Sequence, residues 1–154
     1  MKKCVFAGSF DPITKGHEEI IKKALEIFDE VIVALCVNPD KTTTFSVDER
    51  IAFLKATCEK YERVKVVYHT GLLVDLLRRE NTVYNVRGIR DGKDLEYENS
   101  MTKINKSLMP ELITLYLPSD ENYKDYSSTK VREVIKSKGD VSSLVPEEVA
   151  KLIK

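Results

Sequence analysis

Near its N-terminus the chain reads Gly8-Ser9-Phe10-Asp11-Pro12-Ile13-Thr14-Lys15-Gly16-His17. Gly8 lets the backbone turn and lets a ligand approach closely, while Pro12 stiffens the loop. An apolar run, 4–7, precedes this stretch, and an amphipathic segment, 20–28, follows it. The order is strand, glycine-bearing loop, helix. Such a loop presents unpaired backbone N–H groups to an anion, and the helix dipole adds to the attraction. Gly16-His17 puts an imidazole in the first helical turn, facing whatever the loop holds. Taken singly, the glycine is a turn and the histidine a solvated or core residue. Together, at this spacing, they read as a nucleotide phosphate site.

Two later groups offer matching chemistry. Arg87-Gly88-Ile89-Arg90 carries two guanidinium groups, planar and permanently charged forks that suit phosphate oxygens. An isolated arginine pair is usually a surface salt bridge; at a strand end beside glycine, these two can aim at different phosphates. Ser127-Ser128-Thr129 reads first as a helix cap, since Val131, Val134 and Ile135 follow at helical spacing.

The intervening elements must bring these groups together. The run 31–37 is continuously apolar and β-branched, as in a strand covered on both faces of a parallel sheet. A polar loop, 38–45, carries Lys41. Ser46 and Glu49 form a capping-box pattern, and Val47, Ile51, Leu54 and Cys58 continue it as a helix. Strands are expected over 64–68, 82–86 and 112–117, and helices over 72–79 and 95–107. The helix after Ser127 stops at Gly139, and a last helix starts at Pro146.

Five strands alternating with helices make a doubly wound, Rossmann-like parallel α/β sheet. One domain, 1–154, is expected, with a helical C-terminal segment from about residue 127. Right-handed crossovers place every loop that follows a strand on one edge, where ligands bind near the reversal of strand order. His17, Lys41, Arg87, Arg90 and the Ser127 cap all fall in such loops, a concentration of positive potential suited to a polyphosphate.

The chain has 154 residues, 42% hydrophobic and 32% charged, with a formal net charge of zero. Zero charge argues against a nucleic-acid binder that relies on a basic surface. No apolar run approaches the roughly 18 residues of a membrane span, and no signal core follows the N-terminus, so the cytoplasm is expected. Cys4, Cys36 and Cys58 are odd in number and lack Cys-x-x-Cys spacing. They are expected to be buried free thiols rather than zinc ligands.

The opening stretch resembles the T/S-F-D-P-x-x-x-G-H signature of the nucleotidyltransferase superfamily with the HxGH-type motif. Asp11 stands near the place of the first His of that doublet, and Gly16-His17 is kept. Arg87-Gly88-Ile89-Arg90 is similar to an element of the phosphopantetheine adenylyltransferase family. The likeness continues through Asp94-Leu95-Glu96-Tyr97-Glu98, Met101, Asn105 and Leu108-Met109-Pro110-Glu111. It returns in Ser127-Ser128-Thr129-x-Val131-Arg132-Glu133 and so covers essentially the whole chain. Ser9, Ile89, Tyr123 and Tyr126 depart from the commoner Thr, Leu, Trp and Ile.

The resemblance implies adenylyl transfer from ATP to 4′-phosphopantetheine, giving 3′-dephospho-coenzyme A and pyrophosphate without a covalent intermediate. It implies that His17, Lys41 and Arg90 are catalytic. ATP is expected at Ser9, Phe10, His17, Gly88, Ile89, Arg90 and Glu98, then at Tyr123, Lys124, Asp125, Tyr126, Ser127, Ser128 and Thr129. Ser9, Lys41, Leu73 and Arg87 are expected to meet 4′-phosphopantetheine. Mg²⁺ is the implied cofactor, held by phosphate oxygens and its own waters, with no protein metal ligands. A homohexamer and coenzyme A as feedback ligand are implied as well; no nucleic-acid or membrane partner is expected. Two rivals stay open from the sequence: a cytidylyltransferase acting on a sugar or polyol phosphate, and a domain that senses ATP without turning it over.

Overall fold

A computed structural model describes residues 1–120 and 126–153. Among these residues, the elements follow one another as β1 (Lys3–Gly8), α1 (Lys15–Ile27), β2 (Glu30–Val37), α2 (Val47–Cys58), β3 (Val64–Thr70) and α3 (Leu73–Arg79), then β4 (Tyr84–Ile89), α4 (Gly92–Leu108), β5 (Ile113–Pro118), α5 (Ser128–Lys136) and α6 (Glu147–Ala150). The sheet order is β3-β2-β1-β4-β5, with every neighbouring pair parallel. The chain winds outward from β1 to β3, then crosses back to start again at β4. The reversal therefore lies between β1 and β4, and their C-terminal ends open the crevice where a doubly wound sheet takes ligands.

Burial explains why the central strands read as unbroken apolar runs. Successive side chains point to opposite faces, and both faces are covered. Cys4 and Phe6 of β1, with Val31, Val33 and Leu35 of β2, face a core shared with Ile20, Ile21, Phe53, Leu54 and Val131. Val5, Ala7, Ile32 and Ala34 face a second, smaller core with Val74, Leu76, Leu77 and Met109. Cys4 and Cys58 are buried and Cys36 half-buried, all as free thiols; burial pushes the Cys4 and Cys58 thiols up to about 12.

The last segment returns to the start of α1. The Leu144 carbonyl accepts the Lys15 N–H at 2.9 Å, and Val141, Val145 and Val149 enter the main core. On α6, Glu148 meets the Lys60 ammonium at 2.9 Å, which also meets Glu18 of α1 at 2.8 Å.

Several boundaries differ from the sequence expectation, among them both ends of β4 and the start of α4. β4 begins at Tyr84, because the Thr82 hydroxyl donates to the Lys3 carbonyl and accepts the Tyr84 N–H before the ladder starts. It then runs through Arg87-Gly88-Ile89, which pair in register with Tyr116, Leu117 and Pro118. Pro118 is tolerated inside β5 because that strand is an edge. α4 starts at Gly92, three residues before 95, because Asp91 caps it by accepting the Asp94 N–H.

α4 is turned inside out relative to an ordinary surface helix. Its one buried residue is Glu98, while Tyr97, Met101, Ile104 and Leu108 are exposed along one stripe.

Candidate active site

Thr14 is the N-cap of α1, and His17 sits three residues on. The Thr14 hydroxyl accepts the His17 N–H at 3.3 Å, and His17 Nδ1 accepts the Thr14 N–H at 3.0 Å. An imidazole nitrogen that accepts carries no proton, so the ring's single hydrogen is on Nε2 when it is neutral. Burial, then the charges of Arg87 and Arg90, lower the His17 pKa to about 4. At neutral pH the ring is thus an uncharged donor, not a cation. Phe10 packs edge-on against it at 5.0 Å and against Phe6 at 5.4 Å. That packing holds Phe10, itself buried, at φ 42°, a left-handed backbone rare for a bulky residue.

The residue beside the imidazole is accordingly Thr14. Asp11, expected near the place of a partner histidine, is engaged elsewhere: its carboxylate accepts the N–H groups of Thr44 and Phe45, both at 2.9 Å. The Asp11 carbonyl accepts Arg132 Nη1 at 2.9 Å.

Both arginines of the β4 end are held by α4. Arg87 makes a two-pronged pair with Glu98, Nε to Oε2 at 2.8 Å and Nη2 to Oε1 at 2.7 Å, and Nη1 donates to the Ala7 carbonyl. Arg90 donates from Nε to Asp94 at 3.0 Å, and its backbone N–H meets the same oxygen at 3.0 Å. Glu98 therefore serves Arg87 directly. Gly88 lies between them because α1 presses on it: a Cβ there would stand 3.1 Å from Ile20 Cγ1.

The α5 cap completes the wall. Ser127 accepts the Lys130 N–H at 3.1 Å, Ser128 donates to the Pro12 carbonyl at 2.7 Å, and Thr129 accepts from Arg132 Nη2 at 3.1 Å. With the hydroxyls so engaged, the backbone N–H groups of the first turn are what α5 offers an anion.

These groups border one cavity of about 310 Å³ at the β1/β4 reversal. Ser9, Phe10, His17, Lys41, Arg87, Gly88, Arg90, Glu98, Tyr126, Ser127, Ser128 and Thr129 all line it. Ile89 and Leu73 do not. Ile89 is the last residue of β4, and Leu73 opens α3, the helix that follows β3 in the chain, half-buried against the second core. Tyr123, Lys124 and Asp125 lie outside the described residues. Asp94, Arg132 and Asp11 line the cavity without having been expected there. Arg132 and Asp94 stood inside the quoted motifs, yet nothing in their spacing distinguished them from surface charges.

The donors suit a phosphorylated ligand carrying its own counter-ion. Among the described residues, each carboxylate lining the cavity is already engaged, Asp11 by two N–H groups, Asp94 by Arg90 and Glu98 by Arg87. Among the described residues no cluster of three or more His, Cys, Asp or Glu could hold a metal. No helix among them is long and apolar enough to cross a membrane.

Residues 5–134 match the cytidylyltransferase-like family. The chain is 43% identical over 149 residues to a protein of Alkaliphilus metalliredigens named phosphopantetheine adenylyltransferase, covering 97% of this chain and 95% of that one. A Clostridium botulinum protein of the same name is 40% identical over 154 residues, covering 100% and 94%. One from Tolumonas auensis, again of that name, is 39% identical over 153 residues, covering 99% and 93%.

Proposed function

Since the chain belongs to the phosphopantetheine adenylyltransferases, within the cytidylyltransferase-like family, we propose that it joins the adenylyl group of ATP to 4′-phosphopantetheine. The products are 3′-dephospho-coenzyme A and pyrophosphate. The observation that carries this reading is the convergence of an imidazole, two arginines and the N-terminus of α5 on one cavity.

The attacking group is itself a phosphate, with a charge of about −1.5 to −2 at neutral pH. It needs no general base, and the low pKa of His17 fits that: a ring uncharged at neutral pH can donate from Nε2 without competing for a proton. The barrier is repulsion between anions and charge growth on the departing pyrophosphate, so catalysis is positioning plus electrostatic stabilisation. His17, Lys41 and Arg90 are assigned to the reacting phosphate and its leaving group. Arg87 is assigned to the phosphate of 4′-phosphopantetheine, using N–H groups left over from Glu98. Ser9, Phe10, Gly88 and the first turn of α5 bind ATP. Leu73 and Ile89 have no support from the cavity lining, and Tyr123, Lys124 and Asp125 lie outside the described residues.

Mg²⁺ would be held through the bound nucleotide rather than by Asp11, Asp94 or Glu98, whose carboxylates are already engaged. When bound, it supplies neutralisation of the polyphosphate charge. A homohexamer is part of the reading, and the exposed apolar stripe of α4 supports self-association. Coenzyme A as a feedback ligand is proposed on membership alone. A cytoplasmic setting fits the free thiols.

A pyrophosphate-release assay tests the activity. Release is expected only with ATP and 4′-phosphopantetheine together; release with CTP and a sugar phosphate instead overturns it. Titration calorimetry that finds ATP binding without turnover would point to a sensor. Sedimentation and inhibition by coenzyme A test assembly and feedback.

A further inference from the structure

Lys41 is the outlying member of the proposed catalytic set. It sits in the loop between β2 and α2, where most side chains are exposed, while His17 and Arg90 are fixed close to regular elements. An ammonium on a flexible four-carbon stem is useful only if its backbone is held. Within the loop, the bonds are local: the Lys41 N–H reaches the Asn38 carbonyl, Asp40 N–H the Asn38 side chain, and the Thr43 hydroxyl the Phe45 carbonyl. None of them ties the loop to the cavity.

Asp11 does. Its side chain is nearly inaccessible, and both carboxylate oxygens are taken, Oδ2 by the Thr44 N–H and Oδ1 by the Phe45 N–H. Its carbonyl holds Arg132 of α5, whose guanidinium also stands 4.0 Å from the carboxylate. One residue therefore joins the β1–α1 loop, the Lys41 loop and α5. A carboxylate facing a polyphosphate site repels its ligand unless it is neutralised. Here two N–H groups and a guanidinium do so, which fits a group that holds protein rather than one that touches substrate.

We propose that Asp11 is the positioning residue for Lys41, its carboxylate clamping Thr44 and Phe45 so that the ammonium is presented to the cavity. The proposal rests on the assignment of Lys41 to catalysis made above, and the test separates the two.

The experiment is a double-mutant cycle on the turnover number for pyrophosphate release, at saturating ATP and 4′-phosphopantetheine, with melting temperatures alongside. Lys41→Ala is expected to lower kcat by about 10²–10³. Asp11→Asn, which keeps the shape and loses one acceptor, is expected to lower it by about 10- to 100-fold, the scale of one charge-assisted bond. In the Lys41→Ala background, Asp11→Asn is expected to cost less than about twofold, because the group it positions is gone. Thr44→Pro, which deletes a donor and leaves Asp11 and Arg132 in place, should repeat this pattern and replaces Asp11→Asn should that variant not fold. Wild-type turnover in both Asp11→Asn and Thr44→Pro overturns the proposal, and so does an equal loss with and without Lys41. Wild-type turnover in Lys41→Ala instead sinks the assignment of Lys41 itself.

Discussion

His17 Nδ1 accepts the backbone N–H of Thr14 while the Thr14 hydroxyl accepts the backbone N–H of His17. This reciprocal cap does two jobs at once. It satisfies donors at the start of α1, and it leaves the single ring proton on Nε2.

His17→Ala removes that donor, and kcat for pyrophosphate release should fall by about 10²–10³. His17→Gln, whose amide can still donate, should retain more activity than the alanine variant. Equal turnover in the wild type and His17→Ala would remove His17 from the mechanism.

The lowered pKa of His17 sets a direction for stability. The folded state titrates at about 4 and the unfolded chain near 6.5, so between those values the unfolded state binds more protons. The contribution is fully present above 6.5 and is lost progressively as pH falls to about 4. Urea midpoints should drop across that window, less steeply in His17→Ala, and the ring resonances should not titrate near 6.5. A His17 NMR titration centred at 6.5 would contradict this.

Glu98→Gln should weaken the fold by about 1.5–3 kcal/mol, because it leaves Arg87 short of its charged partner in a half-buried place. Since Glu98 grips Arg87, KM for 4′-phosphopantetheine should rise more than KM for ATP. The opposite order would favour a direct contact between Glu98 and ATP.

Gly88→Ala should destabilise by about 1–3 kcal/mol, as its methyl would crowd Ile20 Cγ1 of α1 at 3.1 Å. Ile20→Val in the same chain, by shortening that side chain, should recover part of the loss. Thermal melts of the single and double variants decide it; no recovery would mean the methyl meets something else.

The fold was legible where a local pattern has a local cause. The apolar run of β2 and the Ser46–Glu49 capping box needed only neighbouring residues to be recognised. The box at Thr14 escaped because its reciprocal member is His17 and not the usual Glu or Gln. The end of β4 escaped because Arg-Gly inside an apolar strand reads as a turn; pairing with β5 overrides that local preference. The site was legible as a set of loops on one rim. The grip of Asp11 on residues 33 and 34 positions away, and its tie to Arg132 121 positions away, belong to the folded chain alone.

Among the described residues, the stretch beyond Gly139 offers no side chain to the cavity, yet the Leu144 carbonyl receives the Lys15 N–H two residues before His17. A nonsense mutation there would spare every proposed substrate contact and still unfasten the imidazole. Lesions in this tail should therefore behave like damage to the catalytic machinery.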